Sequence, residues 1–540
     1  QMMTRGASVR EFALAVAVCL AVSLVPAGCF SVASPPGAAR IRVARAEGSR
    51  AHLRAGGEAA AADKALQEEL RTQAAVALGT VLYDELGPAE LLPGIASTDV
   101  VTLGLVDPAA LRVEEDGSVS VDLKTRLPKA PAVRELAKAC QAALEEALDV
   151  PGVDVRCTLA DTPSDSGQSS VGLKEVAHVI AVASCKGGVG KSTTAVNLAY
   201  ALASLGARVG LVDVDIYGPS LPTMVTPEQP QVQVIGSAIL PLEAQEGVRC
   251  MSIGWVNPHS MLLRGAKISP LVEQLVGQTA WGPLDFLVVD MPPGTGDVQL
   301  ALAQNVRVSG CVMVTTPQRL SFVDVVKGIE MFSKVAIPTV AVVENMASYT
   351  PPGPSDKAVE TFCAKHGLDE EARAELEGLL RPARQALRVF GGGHVPRLKE
   401  MWGIQAAFAM PLLPEIAAAG DSGAPHVLAS PHGESAATFR ALAAAVDREV
   451  FKNKLLPDVR ADVTFDDKAN EIVAVIGGER FALSPMDLRR RCRSPTNDIE
   501  SCPSDLRPLD IEPMGNYAVS INWSDGHQSL FPYATFAGRF

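Results

Sequence analysis

Residues 178–194 read His178-Val-Ile-Ala-Val-Ala-Ser-Cys-Lys-Gly-Gly-Val-Gly-Lys-Ser-Thr-Thr194. The apolar run at 179–183 predicts a buried parallel strand. A glycine-rich turn follows at 185–191. From Ser192 onward the apolar residues Ala195, Val196, Leu198 and Ala199 recur at helical spacing. Strand, glycine loop and helix in that order form the context a phosphate-binding loop requires. Such a loop turns successive backbone N–H groups inward, and the helix N-terminus adds its dipole. Lys191 is then placed to reach the β and γ phosphates of ATP, and Ser192 to hold Mg²⁺. Gly187, Gly188, Gly190 and Thr193 complete the cradle. The common pattern begins with a glycine where this chain has Cys185. The bland alternative is a turn that only packs a helix on a sheet, and Gly190-Lys191-Ser192-Thr193 after a strand argues against it.

Further strand ends carry matching features. Residues 209–220 read as a strand ending in Asp213 and Asp215, at the carboxyl end where ligands sit in open α/β sheets. Alternate strand positions share a face, so the two carboxylates can point the same way. Asp215 is expected to orient the attacking water, and Asp213 to stand behind Mg²⁺ or Lys191. The alternative for both is an N-cap pair for the next helix. Residues 284–290 form a buried strand ending in Asp290, the expected partner of Mg²⁺. It runs into Met291-Pro-Pro-Gly-Thr-Gly-Asp297, whose prolines stiffen the loop and whose glycines, Gly294 first, permit close approach to the γ phosphate. Asp297 reads as a coupling or cap residue. Strands are also expected at 312–318, 338–346 and 408–412, and a closing helix at 435–450. Asn345 can offer both donor and acceptor to an adenine edge.

The 540 residues suit three or four domains. A net charge of −13 disfavours nucleic acid as a partner, and 5% aromatic residues disfavour a base-stacking surface. Ten cysteines, scattered and partly in expected core elements, do not make a disulfide framework and point to a reducing compartment. Arg5 and Arg10 precede an apolar run at 12–25, a signal-peptide pattern shorter than a membrane span. Residues 31–54 then carry Arg40, Arg42, Arg45, Arg50 and Arg54 against a single acid, Glu47, which reads as a transit segment. A signal plus transit leader, with Phe30 near the junction, resembles import into the stroma of a secondary plastid. The rival is a lipid-anchored or secreted protein, from Ala27-Gly28-Cys29. An ATP-dependent enzyme fits that rival poorly. Residues 1–60 are therefore expected to be a bipartite leader outside the fold, with no stable membrane insertion.

Residues 65–160 read as a small α+β domain. It has helices at 61–83 and 132–148, a strand and turn at 99–106, and strands at 118–124 and 153–159. Residues 161–174 form a polar linker. Residues 175–455 are the nucleotide domain. Residues 457–540 are a small β-rich domain, with a hairpin at 463–475, a basic helix at 484–493, and strand, Asp525-Gly526 turn, strand at 515–532. The fold class expected is α/β, a mostly parallel sheet flanked by two small domains.

Ser184-Cys-Lys-Gly-Gly-Val-Gly-Lys-Ser-Thr-Thr194, Asp213-Val-Asp-Ile-Tyr-Gly-Pro-Ser220, Trp281-Gly-Pro-Leu-Asp285, Asp290-Met-Pro-Pro-Gly-Thr-Gly-Asp297 and Val343-Glu-Asn-Met346 together resemble the Mrp family. These are deviant P-loop ATPases that carry iron–sulfur clusters. Arg264-Gly265 matches a Trp-Arg-Gly stretch of that family, with Leu263 for the Trp. The first domain resembles the small domain of cytosolic iron–sulfur assembly factors, with Ala130 where a family cysteine stands, so scaffolding or docking is its expected role. The last domain resembles the one appended to the plastid, high-chlorophyll-fluorescence type of Mrp carrier.

The resemblance implies slow, switch-like ATP hydrolysis in a homodimer, with Lys186 reaching the partner subunit's nucleotide. It also implies transfer of a [4Fe-4S] cluster from upstream scaffold proteins to plastid apoproteins. Many members place Cys-x-x-Cys after the Glu-Asn-Met strand, whereas residues 347–354 here lack cysteine. That leaves Cys185, Cys363, Cys492 and Cys502 as candidate cluster ligands. Two thiolates per chain would give four in a dimer. Cys185 is either a small side chain accepted at a tight loop or the point where ATP and cluster meet. For Cys363 the alternative is a packed thiol. His527 is either a metal ligand or a turn-stabilising histidine.

Three rivals are weighed beside the carrier. A partitioning or septum-positioning ATPase wants a basic surface or a C-terminal membrane helix. A nucleotide-binding scaffold would bind ATP without turnover. A nickel or cobalt chaperone wants clustered histidines, and the eight here are dispersed.

Overall fold

The computed structural model describes residues 56–83, 98–162, 166–236, 238–256, 268–294, 299, 302, 305–335, 337–351, 356–380, 386–402, 404–455, 462–476, 479–492, 497–514 and 518–536. Most of the leader expectation, Arg264-Gly265 and Asp297 fall outside these residues.

The first part of the chain contains α1 (Gly56–Leu78), β1 (Arg112–Val113), β2 (Val119–Thr125), α2 (Pro131–Ala147) and β3 (Val153–Leu159). β2 pairs antiparallel with β1 and parallel with β3. Helix α2 turns Val133, Leu136, Ala137, Cys140 and Leu144 inward, the i, i+3, i+4 stripe that its sequence encodes. The strand expected at 99–106 is instead a set of turns. The Asp99 carboxylate accepts the N–H groups of Val101 and Thr102, which curls the backbone before a strand can run. Helix α1 ends at Leu78, earlier than the expected 83, with Gly79 after it.

The central sheet contains β4 (Val176–Ala183), β5 (Val209–Asp213), β6 (Leu242–Glu243), β7 (Arg249–Ser252), β8 (Leu284–Asp290), β9 (Gly310–Thr315), β10 (Thr339–Glu344) and β11 (Ala407–Ala409). Their order is β11-β10-β9-β4-β8-β5-β7-β6, and every pairing is parallel except β6 with β7. Both faces are covered, so the strands read as continuous apolar runs. Along β4, Ile180 and Val182 join one core, and Val179, Ala181 and Ala183 join the other. The first core lies under α3 (Lys191–Ser204) and also contains Leu123, Leu136 and Leu144 of the preceding α+β unit. The second core lies under α4 (Arg319–Lys334), through Phe322, Val325, Ile329 and Phe332.

Helices α5 (Asp356–His366), α6 (Glu370–Leu380) and α7 (Val395–Trp402) lead into β11, which is only three residues long and shorter than the expected 408–412. Helix α8 (Glu434–Leu455) packs on α3. Residues 161–174, read as a polar linker, include a short helical turn at Val171–Leu173. Gln168 there exchanges two hydrogen bonds with the backbone of Arg307, both at 2.9 Å.

The last part holds two antiparallel three-stranded sheets, β12 (Asp462–Asp466), β13 (Glu471–Ile476), β14 (Glu479–Leu483) and β15 (Pro508–Met514), β16 (Ala518–Trp523), β17 (Gln528–Pro532). Between them lies the short helix Pro485–Arg490, capped by the Ser484 side chain. Its core is separate and centres on Trp523, Phe531, Ile472 and Leu488. Among the described residues, no helix is long and apolar enough to cross a membrane.

Candidate nucleotide site

Strand β4 ends in the middle of the sheet, flanked by β8 and β9, and the glycine loop leaves from its carboxyl end. Gly188 and Gly190 adopt φ of 76° and 86°, the left-handed region that a side chain rarely enters. Space closes the question at Gly190, because a Cβ there would lie 2.1 Å from Asn345 Nδ2. Asn345 follows β10, and its Nδ2 donates to the carbonyl of Val189 at 2.9 Å. The residue read from sequence as an adenine contact therefore braces the phosphate loop. Gly187 and Gly188 are exposed, and a Cβ at either would meet nothing within 4 Å.

Lys191 opens α3 and is 7% exposed. Its Nζ donates to Asp290 Oδ1 at 2.5 Å and to Ser192 Oγ at 3.1 Å. Asp290 is buried at the end of β8. Burial pushes its carboxyl up, opposed by Lys191 and the Ser192 hydroxyl. Strand register sets Asp290 opposite Asp213 on β5. Asp213 is fully buried, and burial first, then the Asp290 charge, raises its carboxyl to about 7. It accepts the N–H of Asp215 at 2.9 Å, of Ser220 at 2.9 Å and of Leu221 at 3.1 Å, and the Ser252 hydroxyl at 3.3 Å. Ser220 and Leu221 begin the short helix Leu221–Met224, so capping describes what Asp213 does here.

Asp215 is half-buried; its N–H belongs to the Asp213 cage, and its carboxylate accepts the Gly218 N–H at 3.2 Å. Gly294, at φ 101°, donates its N–H to the Ser184 carbonyl at 2.8 Å, which ties the loop after β8 to the end of β4. Gln299 donates to the carbonyls of Pro292 and Gly294 at 2.9 and 3.0 Å. Lys186 is half-buried, and its carbonyl accepts the Ser184 hydroxyl at 2.9 Å. The carbonyl of Thr193 accepts from Asn197, whose Oδ1 takes the Val427 N–H at 3.0 Å. Gln299, Asn197 and Ser252 are supporting residues that the sequence reading missed. Asn197 and Ser252 bond residues far along the chain, Val427 and Asp213, and Gln299 bonds the loop just before it.

Open loop amides, an ammonium, and a hydroxyl beside a carboxylate are the donor set a magnesium nucleotide requires. The residues present therefore fit that group.

Comparison with known proteins converges on the same elements. The family model described as NUBPL iron-transfer P-loop NTPase matches residues 175–381, and the gamma-butyrobetaine hydroxylase-like N-terminal model matches 462–537. The Fe-S cluster assembly factor HCF101, chloroplastic, of Oryza sativa subsp. japonica is 36% identical over 535 residues, covering 94% of this chain and 91% of the relative. This chain belongs to the HCF101 family. The Arabidopsis thaliana HCF101 is 38% identical over 454 residues, covering 81% of this chain and 78% of its own length. The iron-sulfur cluster carrier protein of Pseudomonas fragi is 41% identical over 304 residues, covering 55% of this chain and 94% of that one. The chain is thus a P-loop NTPase with HCF101-type flanking segments on both sides.

The four candidate cysteines of this HCF101-family chain fall in three places. Cys185 turns away from the phosphate loop, toward α4. Its Sγ lies where a Cβ on Gly328 would come within 2.4 Å, and it packs in the second core. Burial, with the Asp324 charge, pushes this thiol up to about 11, so it is a protonated thiol at neutral pH. Of the two sequence readings of Cys185, the geometry matches the small packed side chain. Cys363 is buried on α5 at 6% exposure.

Cys492 and Cys502 are brought to one corner of the C-terminal unit. Cys492 Sγ is 3.5 Å from His527 Nε2, and Cys502 Sγ is 3.7 Å from Asp525 Oδ2. The His527 N–H donates to Asp525 Oδ1 at 3.0 Å, which makes this histidine part of the turn as well as a thiol neighbour. Among the described residues, no group of three or more Cys, His, Asp and Glu side chains has metal-binding geometry. The eight cysteines among them are free thiols.

Proposed function

We propose that this protein is an ATP-dependent carrier that assembles or delivers a [4Fe-4S] cluster to plastid apoproteins. The observation that carries the reading is the Lys191–Asp290 pair at 2.5 Å, set beneath an open glycine loop in a chain that spans 91% of an Fe-S cluster assembly factor. The cluster is cargo, received from scaffold proteins and passed on. The two cysteines of the C-terminal corner are its nearest thing to a paired thiol landing point, and two subunits would bring four.

At the nucleotide, the present bonds of Lys191, Ser192 and Asp290 support the following division of tasks. Lys191 exchanges Asp290 for the β and γ phosphates. That exchange releases a carboxylate beside the Ser192 hydroxyl, and these two would hold Mg²⁺, Asp290 through water. Mg²⁺ supplies charge neutralisation at the γ phosphate when bound. The N–H groups of residues 187–191 receive the phosphate oxygens. Asp215, whose carboxylate accepts the Gly218 N–H, would orient the attacking water. Lys186 on the loop rim reaches the nucleotide of a second copy, so the closed form is a homodimer and hydrolysis resets it slowly. The plastid stroma as the working compartment is supported by the chloroplastic relatives and the bipartite leader pattern.

Anaerobic reconstitution of the full chain tests the reading. Iron and sulfide are counted per dimer, and transfer to an apo-ferredoxin-type acceptor is followed by its spectrum. Asp215→Ala is expected to bind ATP and lose hydrolysis. A wild-type chain that binds no iron and transfers none sinks the carrier role and leaves the ATPase standing. A monomer with ATP bound sinks the role given to Lys186.

A further inference from the structure

A cavity of about 530 Å³ lies between the N-terminal α+β unit and the last turns of α8. Its volume is within the about 300–1,000 Å³ range of ligand pockets, and it sits at a junction of two units, where such pockets concentrate. One wall is apolar, formed by Leu103, Leu105, Val133 and Phe451. Leu103, Leu105 and Phe451 already pack together there.

The polar groups are arranged unevenly. Arg112 pairs with Asp122 at 2.9 Å and Lys124 with Asp161 at 2.8 Å. Asp107 accepts the Ala109 N–H at 2.9 Å. That leaves Arg126, Asp447 and Lys454. Arg126 lies 5.9 Å over the Phe451 ring and reaches Asp447 only at 3.6 Å, with both side chains largely buried. Asp447 Oδ1 is shielded from solvent and has no hydrogen bond. Lys454, at the mouth, has no ion-pair partner among the described residues, and burial together with the Arg126 charge pushes its ammonium down. Arg126 is thus only loosely paired and Lys454 unpaired among the described residues, in a lining whose other two cations each hold a close carboxylate. A planar guanidinium beside an ammonium suits a carboxylate, which the guanidinium can grip with two parallel N–H bonds.

We propose that this cavity binds a small amphipathic carboxylate, its head between Arg126 and Lys454 and its apolar body along Leu103, Leu105 and Phe451. The ligand would bridge the N-terminal unit to α8, which packs on α3, and so join the small domain to the nucleotide-bearing helix. This site does not depend on the cluster-carrier reading.

Isothermal titration of octanoate into the full-length chain tests it, with octanol and octylamine as matched probes. Octanoate is expected to bind one per chain with Kd of about 1 mM or tighter. Octanol and octylamine should bind at least about tenfold more weakly. Lys454→Met should weaken octanoate about tenfold, a change of about 1.4 kcal/mol. Lys454→Arg should keep the affinity, and Ala110→Trp, which puts a ring at the cavity wall, should abolish it. Octanoate binding equally well to Lys454→Met, octanol binding as well as octanoate, or no octanoate binding by the wild type would each overturn the proposal.

Discussion

The direction of the Cys185 side chain can be decided by substituting the glycine it touches. Gly328 sits inside α4 at full burial, and an added Cβ would meet Cys185 Sγ at 2.4 Å and Met313 Cε at 2.7 Å. Two effects compete in Gly328→Ala. Alanine favours a helix interior over glycine by about 1 kcal/mol. Overpacking a filled core costs about 1–3 kcal/mol. Met313 Cε is the far end of a flexible side chain and can rotate aside. The Cys185 sulfur is two bonds from Cα and turns only about χ1, in a packed core, so it gives way less readily. Gly328→Ala alone should therefore lower stability by about 0–2 kcal/mol. In a Cys185→Gly background the thiol clash is gone and the same change should be neutral or stabilising by up to about 1 kcal/mol. The expected coupling is about 1–2 kcal/mol, well inside the range for touching side chains. Urea unfolding of the four nucleotide-free proteins measures it. Cys185→Gly alone should leave the affinity for ATP within about threefold, because a thiol turned toward α4 touches no phosphate. A coupling below about 0.5 kcal/mol, or a large loss of ATP affinity in Cys185→Gly, would refute the placement and return this thiol to the nucleotide.

Lys191→Met should destabilise the apoprotein by about 3 kcal/mol, since it leaves the Asp290 carboxylate buried without its cation. Adding Asp290→Asn should recover most of that loss in chemical denaturation while ATP binding stays absent. The nucleotide-free wild type should become less stable as pH rises from about 4 to about 7. Folded Asp213 keeps its proton up to about 7, whereas the unfolded chain releases it near 3.8, so the folded state binds more protons across that window. Asp213→Asn should flatten that slope in a series of denaturation midpoints, and an unchanged slope would contradict the raised value. Asn345→Ala removes the 2.9 Å bond to the Val189 carbonyl. It should cost about 1 kcal/mol of stability and a few-fold in ATP affinity, both readable from one thermal-shift titration.

The nucleotide loop and the acids around it were legible because they obey short-range rules. An apolar run, a glycine turn and a helical stripe place Lys191 without any tertiary knowledge, and Asp290 follows from a strand whose last residue is acidic. Asn345 was found as a polar residue at a strand end. Its partner, Val189, is 156 residues away, and no local pattern encodes that pairing. The direction of Cys185 depends on the space beside Gly328 of α4, far along the chain, which periodicity does not register. Strand β7 went unread because its Arg249-Cys-Met-Ser252 is short and finds its place only by pairing with β5. Strand β15 went unread because Pro508 and Pro513 argue against a strand, and it is tolerated as an edge of its sheet. The turns at 99–106 looked like a strand from their apolar content, but Asp99 bonds its own backbone there.

The first hydrophobic core runs without a break from Leu70 of α1, through Leu123 and Leu144, into Leu198 of α3 and Val446 of α8, whereas the core around Trp523 keeps to itself. The Lys129 N–H bonds the carbonyl of Leu205, and the Arg208 guanidinium donates to the carbonyl of Ala160, so hydrogen bonds cross the same seam. In evolutionary and practical terms the N-terminal piece is therefore not a detachable accessory. A fragment that began at the phosphate-loop strand would lay bare the side of α3 that Leu123 and Leu144 help to cover. The segment after residue 461 has a core of its own, and cutting it away would also uncover the parts of α4 and α7 that β15 and β17 touch.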